Sequence, residues 1–170
     1  MHQAIHLFFD EEPWLSYSSI RLNEEFFVLK HECHDNVIPA SNSVMAMVVY
    51  KMGRYFENED YTRRGLRMLG LMQPKFAGYP SGYSQWMQLQ LLETFGLKTV
   101  CITGPKALEI KNEFDAQYVP NAIFAGGENS AIPIMKDKVS RGEDHIHVCT
   151  ENACMPAVGS IDEAVKLLEQ

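Results

Sequence analysis

Apolar residues along this chain follow two rhythms, and the change falls at Gly96. Before it, they recur every three or four residues, the spacing of one helix face. The first helix is predicted after Pro39, with Ser41 or Asn42 as N-cap, and runs to about Phe56. Val44, Met47, Val48 and Met52 form its apolar face. A second starts at Asn58, whose side chain can cap "EDYTRRGLRMLGLM", and stops before Pro74. A third starts at Pro80-Ser81, carries Trp86, Leu89, Leu92 and Phe95, and ends at Gly96. Short connections make neighbouring helices antiparallel hairpins. Upstream, Ile5 to Lys30 alternates and is rich in aromatics, which predicts short extended segments around Pro13 and Asn23.

After Gly96 the pattern tightens. "LKTVCITG" is a compact β-branched run ending in glycine, as a buried strand would be. "PKALEIKNEFDAQY" reads as a helix with proline in its first turn, "NAIFAGG" as a second strand and "DHIHVC" as a third. "SIDEAVKLLEQ" closes as a helix capped by Ser160, with Asp162 and Glu163 in its positive first turn. This order predicts a small parallel α/β lobe over 97–170, after an extended segment and helical-hairpin lobe over 1–96. The fold class is α+β. Three helices with aromatic faces are too few to close a core alone, so a partner surface is expected.

Composition narrows the function classes. The 170 residues carry a net charge of −7, 46% hydrophobic residues and 22% charged residues. An acidic chain whose one basic cluster is "TRRGLR" is not expected to bind nucleic acid, which demands a basic face. No stretch approaches the roughly 20 apolar residues of a membrane span, and the first residues form no secretory signal. Four cysteines in such a chain predict reduced thiols and a cytoplasmic location.

Two stretches hold candidate chemistry. In "HECHDNVIPASNS", Cys33, His34 and Asp35 look like a nucleophile, a base and its orienter. Extended geometry puts Cys33 and Asp35 on one side and His34 on the other, which removes that reading. Asp35 and Asn36 then either hydrogen-bond loop backbone, while Ser41 to Ser43 cap the helix, or face a polar ligand. In "HIHVCTENAC", a strand would project His145, His147 and Cys149 to one face, with Cys154 able to return to it. Structural cysteines, a Cys149/Cys154 redox pair and a metal site are all readings of that pattern. The spacing fits no familiar zinc motif, so no metal is expected. The glycines of "IFAGGEN" and "CITGPKA" could cradle an anion but need only be tight turns. Tyr79 and Tyr83, beside Gln85 and Trp86, could line a pocket for a sugar-like ligand. Trp86 belongs in the core, and no cofactor is expected.

The stretches "DNVIPASNSVMA", "YPSGYSQWMQ" and "VCTENACMPAVGSIDEAVKLL" together resemble the C-terminal end of one family. It is the thioredoxin-domain-containing family related to spermatogenesis-associated protein 20, the bacterial YyaL type. The resemblance implies helical hairpins from an (α/α)6 toroid, closed by the small α/β lobe, in a piece of a several-fold longer parent. It implies that the apolar flanks are covered by self-association or by the remainder of that parent. It also implies a rim site for a carbohydrate-like ligand, in an epimerase- or glycosidase-like parent of unestablished activity. Asp35 would then be catalytic, with Asp10, Glu11 and Glu12 nearby, and Asn36, Ser41 and Asn42 would bind ligand. The chain alone would be inactive. The competing implication is an interaction or redox-linked module that docks a thioredoxin-like domain through the Cys149/Cys154 end.

Overall fold

The computed structural model describes residues 31–128, 131–138, 140, 142–151 and 153–169. The extended segments expected over Ile5 to Lys30, with Asp10, Glu11 and Glu12, lie outside the described residues. The chain forms two compact units. One contains the described residues up to Arg54 together with Asn58–Leu91. The other contains Tyr55–Glu57 and the described residues from Leu92 onward.

The first unit is built on α1 (Ser41–Tyr55) and α2 (Glu59–Met72). Asn58 caps α2, its Oδ1 accepting the Tyr61 N–H at 3.1 Å. A Cβ on Gly53 would lie 2.3 Å from Thr62 Oγ1, and one on Gly65 would lie 2.8 Å from Ala46 O. These near-contacts run in opposite directions along the two helices, so the hairpin is antiparallel. Gly65 therefore acts as a notch that lets two backbones approach. The buried face of α1 keeps Met47 of the expected set but is rotated from it. Ala46, Met47, Val49 and Tyr50 are buried, whereas Val44 and Val48 remain about 40% exposed.

α3 (Ser84–Phe95) follows a 3₁₀ turn at Pro80–Tyr83, so its α-helical part starts four residues later than the Pro80-Ser81 signal suggested. Trp86 and Leu89 are completely buried, while Phe95, expected on the same face, is 72% exposed.

The second unit is a three-stranded sheet of order β2-β1-β3, with β1 at Lys98–Thr103, β2 at Ala122–Gly126 and β3 at His145–Cys149. β1 and β2 are parallel, joined through α4 (Ala107–Phe114). β3 is antiparallel to β1, which corrects the expected all-parallel lobe to a mixed sheet. A parallel return needs a long crossover, usually a helix. Between β2 and β3 the described residues hold only a 3₁₀ turn at Pro133–Met135, and the chain re-enters along β1 from its far end.

One face of this sheet carries the core. Val100, Ile102, Ile146 and Val148 pack with Phe114 of α4 and with Ala164 and Leu168 of α5 (Ile161–Leu168). Ser160 caps α5 as predicted: its Oγ accepts the Glu163 N–H at 3.4 Å and donates to Glu163 Oε2 at 2.9 Å. The other face alternates with it and presents Thr99, Cys101, Thr103, His145, His147 and Cys149. Among the described residues no helix is long and apolar enough to cross a membrane.

Candidate functional site

Asp35 lies at the junction of the two N-terminal motifs. Its carboxylate is 5% exposed. Oδ1 accepts the Ala40 N–H at 2.9 Å and the Ser43 hydroxyl at 2.6 Å, while Oδ2 accepts the Gln85 N–H at 2.8 Å. The Asp35 N–H in turn donates to Gly82 O at 2.8 Å. One carboxylate thus sits at the N-terminal ends of both α1 and α3, where orphan N–H groups and the helix dipoles favour negative charge. Glu32 serves α1 in the same way, its Oε2 accepting from Ser41 Oγ at 2.7 Å and Ser41 N at 3.3 Å.

The other residues expected to bind ligand fall unevenly. Asn42 is completely buried and donates its Nδ2 to Glu32 O at 2.9 Å. Tyr83 is buried with its hydroxyl 2.7 Å from His34 Nε2. Trp86 donates its indole N–H to Cys33 O at 2.8 Å. Asn36 and Tyr79 are exposed. Polar side chains expected at a rim are therefore largely spent on holding helix starts together. The loop-backbone reading accounts for Asp35, whereas the predicted capping role of Ser41 to Ser43 passes to the carboxylates of Glu32 and Asp35. Glu32 went unnoticed because no short-range motif links a residue nine positions upstream to a helix start.

The C-terminal stretch behaves differently. Cys149 and Cys154 are joined by a disulfide, so two of the four thiols expected to be reduced are oxidised. Cys149 is 5% exposed, while Cys154 is exposed and forms an isolated antiparallel bridge with Cys149. The Thr150 N–H donates to Ala153 O and the Met155 N–H to Val148 O, both at 2.9 Å, framing the pair in a tight hairpin. Of the remaining thiols, Cys101 is buried and its pKa is pushed up to about 11 by desolvation, which makes it a poor nucleophile. Burial also raises the pKa of half-buried Cys33.

On the face shared with Cys149, His147 carries a buried Nε2 with no hydrogen-bond partner among the described residues. Burial depresses its pKa, and the neighbouring positive charges of Lys138 and His145 add to that. Its ring centroid is 6.4 Å from that of His145, which approaches Glu143 at 3.8 Å. Among the described residues no group of three or more His, Cys, Asp or Glu side chains is placed to hold a metal ion.

The turn at Gly104 is already filled from within the chain. Asp144 Oδ1 takes the Lys106 N–H at 2.8 Å, so a carboxylate of this chain already occupies the helix entry. Gly104, at φ +117°, lets Asp144 approach, since an added Cβ would lie 2.3 Å from that oxygen. Beside it, a cleft of about 210 Å³ at the ends of β1 and β2 is lined by Ile102, Ala107, Leu108, Phe124 and Lys111. Lys111 is paired with Asp115 and stands 4.9 Å over the Phe124 ring, which leaves the cleft mainly apolar. Comparison with known proteins adds no relative: no family model, curated protein or solved structure matches this chain.

Proposed function

We propose that this chain is a redox-linked module whose Cys149–Cys154 disulfide exchanges with a dithiol on a thioredoxin-like domain. The supporting observation is the pairing of one exposed and one buried cysteine in a short hairpin. Exchange needs in-line access to one sulfur only, and the other then departs as the leaving thiolate. A partner thiolate attacks Cys154 Sγ, the S–S bond breaks, and Cys149 leaves and takes up a proton. The partner's second thiol then attacks the mixed disulfide and releases Cys154 as a thiol. Two electrons pass from the dithiol, which ends as a disulfide.

The resemblance to the YyaL-type family supplies the class of partner and extends the reading. The α1–α2 hairpin would be a piece of a toroid, and the parent chain or a second copy would cover the exposed Leu91 and Phe95 of α3. A rim site for a carbohydrate-like ligand has less support, because Asp35 already accepts three hydrogen bonds and is shielded from solvent.

The test is a trapping experiment. The chain is mixed with a reduced thioredoxin-like domain whose second active-site cysteine has been replaced by serine. A mixed disulfide mapped to Cys154 is expected. Recovery of the intact Cys149–Cys154 disulfide, under conditions where a small dithiol reduces it, would overturn the reading.

A further inference from the structure

We propose that His147 is a positioning residue for this disulfide: on reduction, the Cys149 thiol donates a hydrogen bond to His147 Nε2 and favours the dithiol form. The inference rests on the exchange reading only in requiring that the pair be reducible.

His147 and Cys149 are alternate residues of β3 and project to the same side, about 7 Å apart along the strand. His147 Nε2 is buried and has no hydrogen-bond partner among the described residues in the disulfide form. A buried polar atom without a partner carries a desolvation cost that a single donor can relieve. Several described neighbours that could supply one have other partners. Cys101, directly opposite His147 on β1, donates its thiol to Ile134 O at 3.5 Å. Thr103 donates to His145 O at 3.4 Å, and His145 approaches Glu143. Lys138, the nearby cation, donates to Ile134 O at 2.8 Å.

Cys149 is different because oxidation removes its hydrogen. Reduction creates a thiol proton on the same sheet face, two residues along β3 from the atom that lacks one. The balance is complete without another group: each sulfur gains one electron and one proton from the external thiols, and the Cys149 proton then points to the imidazole. Because the bond exists only in the dithiol form, it shifts the redox equilibrium instead of stabilising both states alike.

A glutathione redox titration of the full chain reads this directly. His147→Phe keeps a ring and removes the acceptor. It is expected to make the disulfide about tenfold harder to reduce, a shift of about 30 mV for a two-electron couple. His147→Gln, which retains an acceptor oxygen, is expected to return the midpoint toward that of the native chain. An unchanged midpoint in His147→Phe, or a Gln variant no better than Phe, would overturn the inference. The native chain provides a second reading that no substitution can confound. Its His147 Nε2 nitrogen resonance should move on reduction in the direction of an accepted hydrogen bond, and an unmoved resonance would overturn the inference. Glutathione replaces the partner protein here, so failure of thioredoxin-like docking and failure of the His147 role give different results.

Discussion

At Asp35 a carboxylate is buried among three donors; at Cys154 a disulfide-bonded cysteine is exposed. Both belong to dense runs of reactive residue types, and their environments give those types opposite uses. The Asp35 oxygens have no room to accept a substrate proton without surrendering a helix start. The disulfide joins a buried cysteine to an exposed one. Residue type names the chemistry that is available, but free valence and access decide whether it can be used. The same contrast separates Cys101, buried with its pKa pushed up to about 11, from the oxidised pair.

The comparison would break most visibly at Asp35. Asp35→Ala leaves the Ala40 N–H, the Ser43 hydroxyl and the Gln85 N–H without their acceptor. Loss of a buried charged acceptor with several partners is expected to cost about 3–5 kcal/mol, read as a lower urea midpoint. A change of under about 0.5 kcal/mol, in the range of an ordinary surface substitution, would show that the carboxylate is not holding the two helix starts. Asp35→Asn keeps one acceptor oxygen and is expected to lose about 1–2 kcal/mol.

The hairpin should be less sensitive. Cys154→Ser opens a loop of only six residues, and loop-closure entropy puts the resulting loss at about 2 kcal/mol. Urea unfolding of the oxidised native chain against the variant measures it. A loss as large as that at Asp35 would make the disulfide mainly a structural staple and would erase the contrast. A smaller loss leaves the unit folded in both redox states, as a reversible exchange site requires.

Much of this fold could be read from the chain. Asn58 and Ser160 announced their helices because each cap bond spans only three residues. The strand at Lys98–Thr103 was visible as a compact β-branched run. The direction of β3 was not, because an alternating strand looks the same in either orientation and the connection decides it. The burial of Asp35 was also hidden, since two of its three donors lie within eight residues but the third, Gln85, lies 50 residues away. The common face of His145, His147 and Cys149 followed from strand alternation. The missing partner of His147 depends on where Ile134 and Lys138 fall, which no local pattern specifies.

That imidazole gives the smallest expected effect and the finest test of the comparison. In the oxidised chain, burial holds the folded-state pKa of His147 below its ordinary value, with Lys138 and His145 acting in the same direction. The unfolded chain therefore binds the proton more readily than the folded one. The stability at stake is fully present above an unfolded pKa of about 6.5 and is lost as pH falls through the lower folded value. His147 is only partly buried, so the loss should stay below about 1 kcal/mol. His147→Gln removes this titration, and its stability curve should run flatter than the native one on the acid side of pH 6.5. The difference between the two curves isolates His147 from the other histidines. Parallel curves would mean that His147 meets solvent or another donor, and the C-terminal face would then have every polar group satisfied, as Asp35 does.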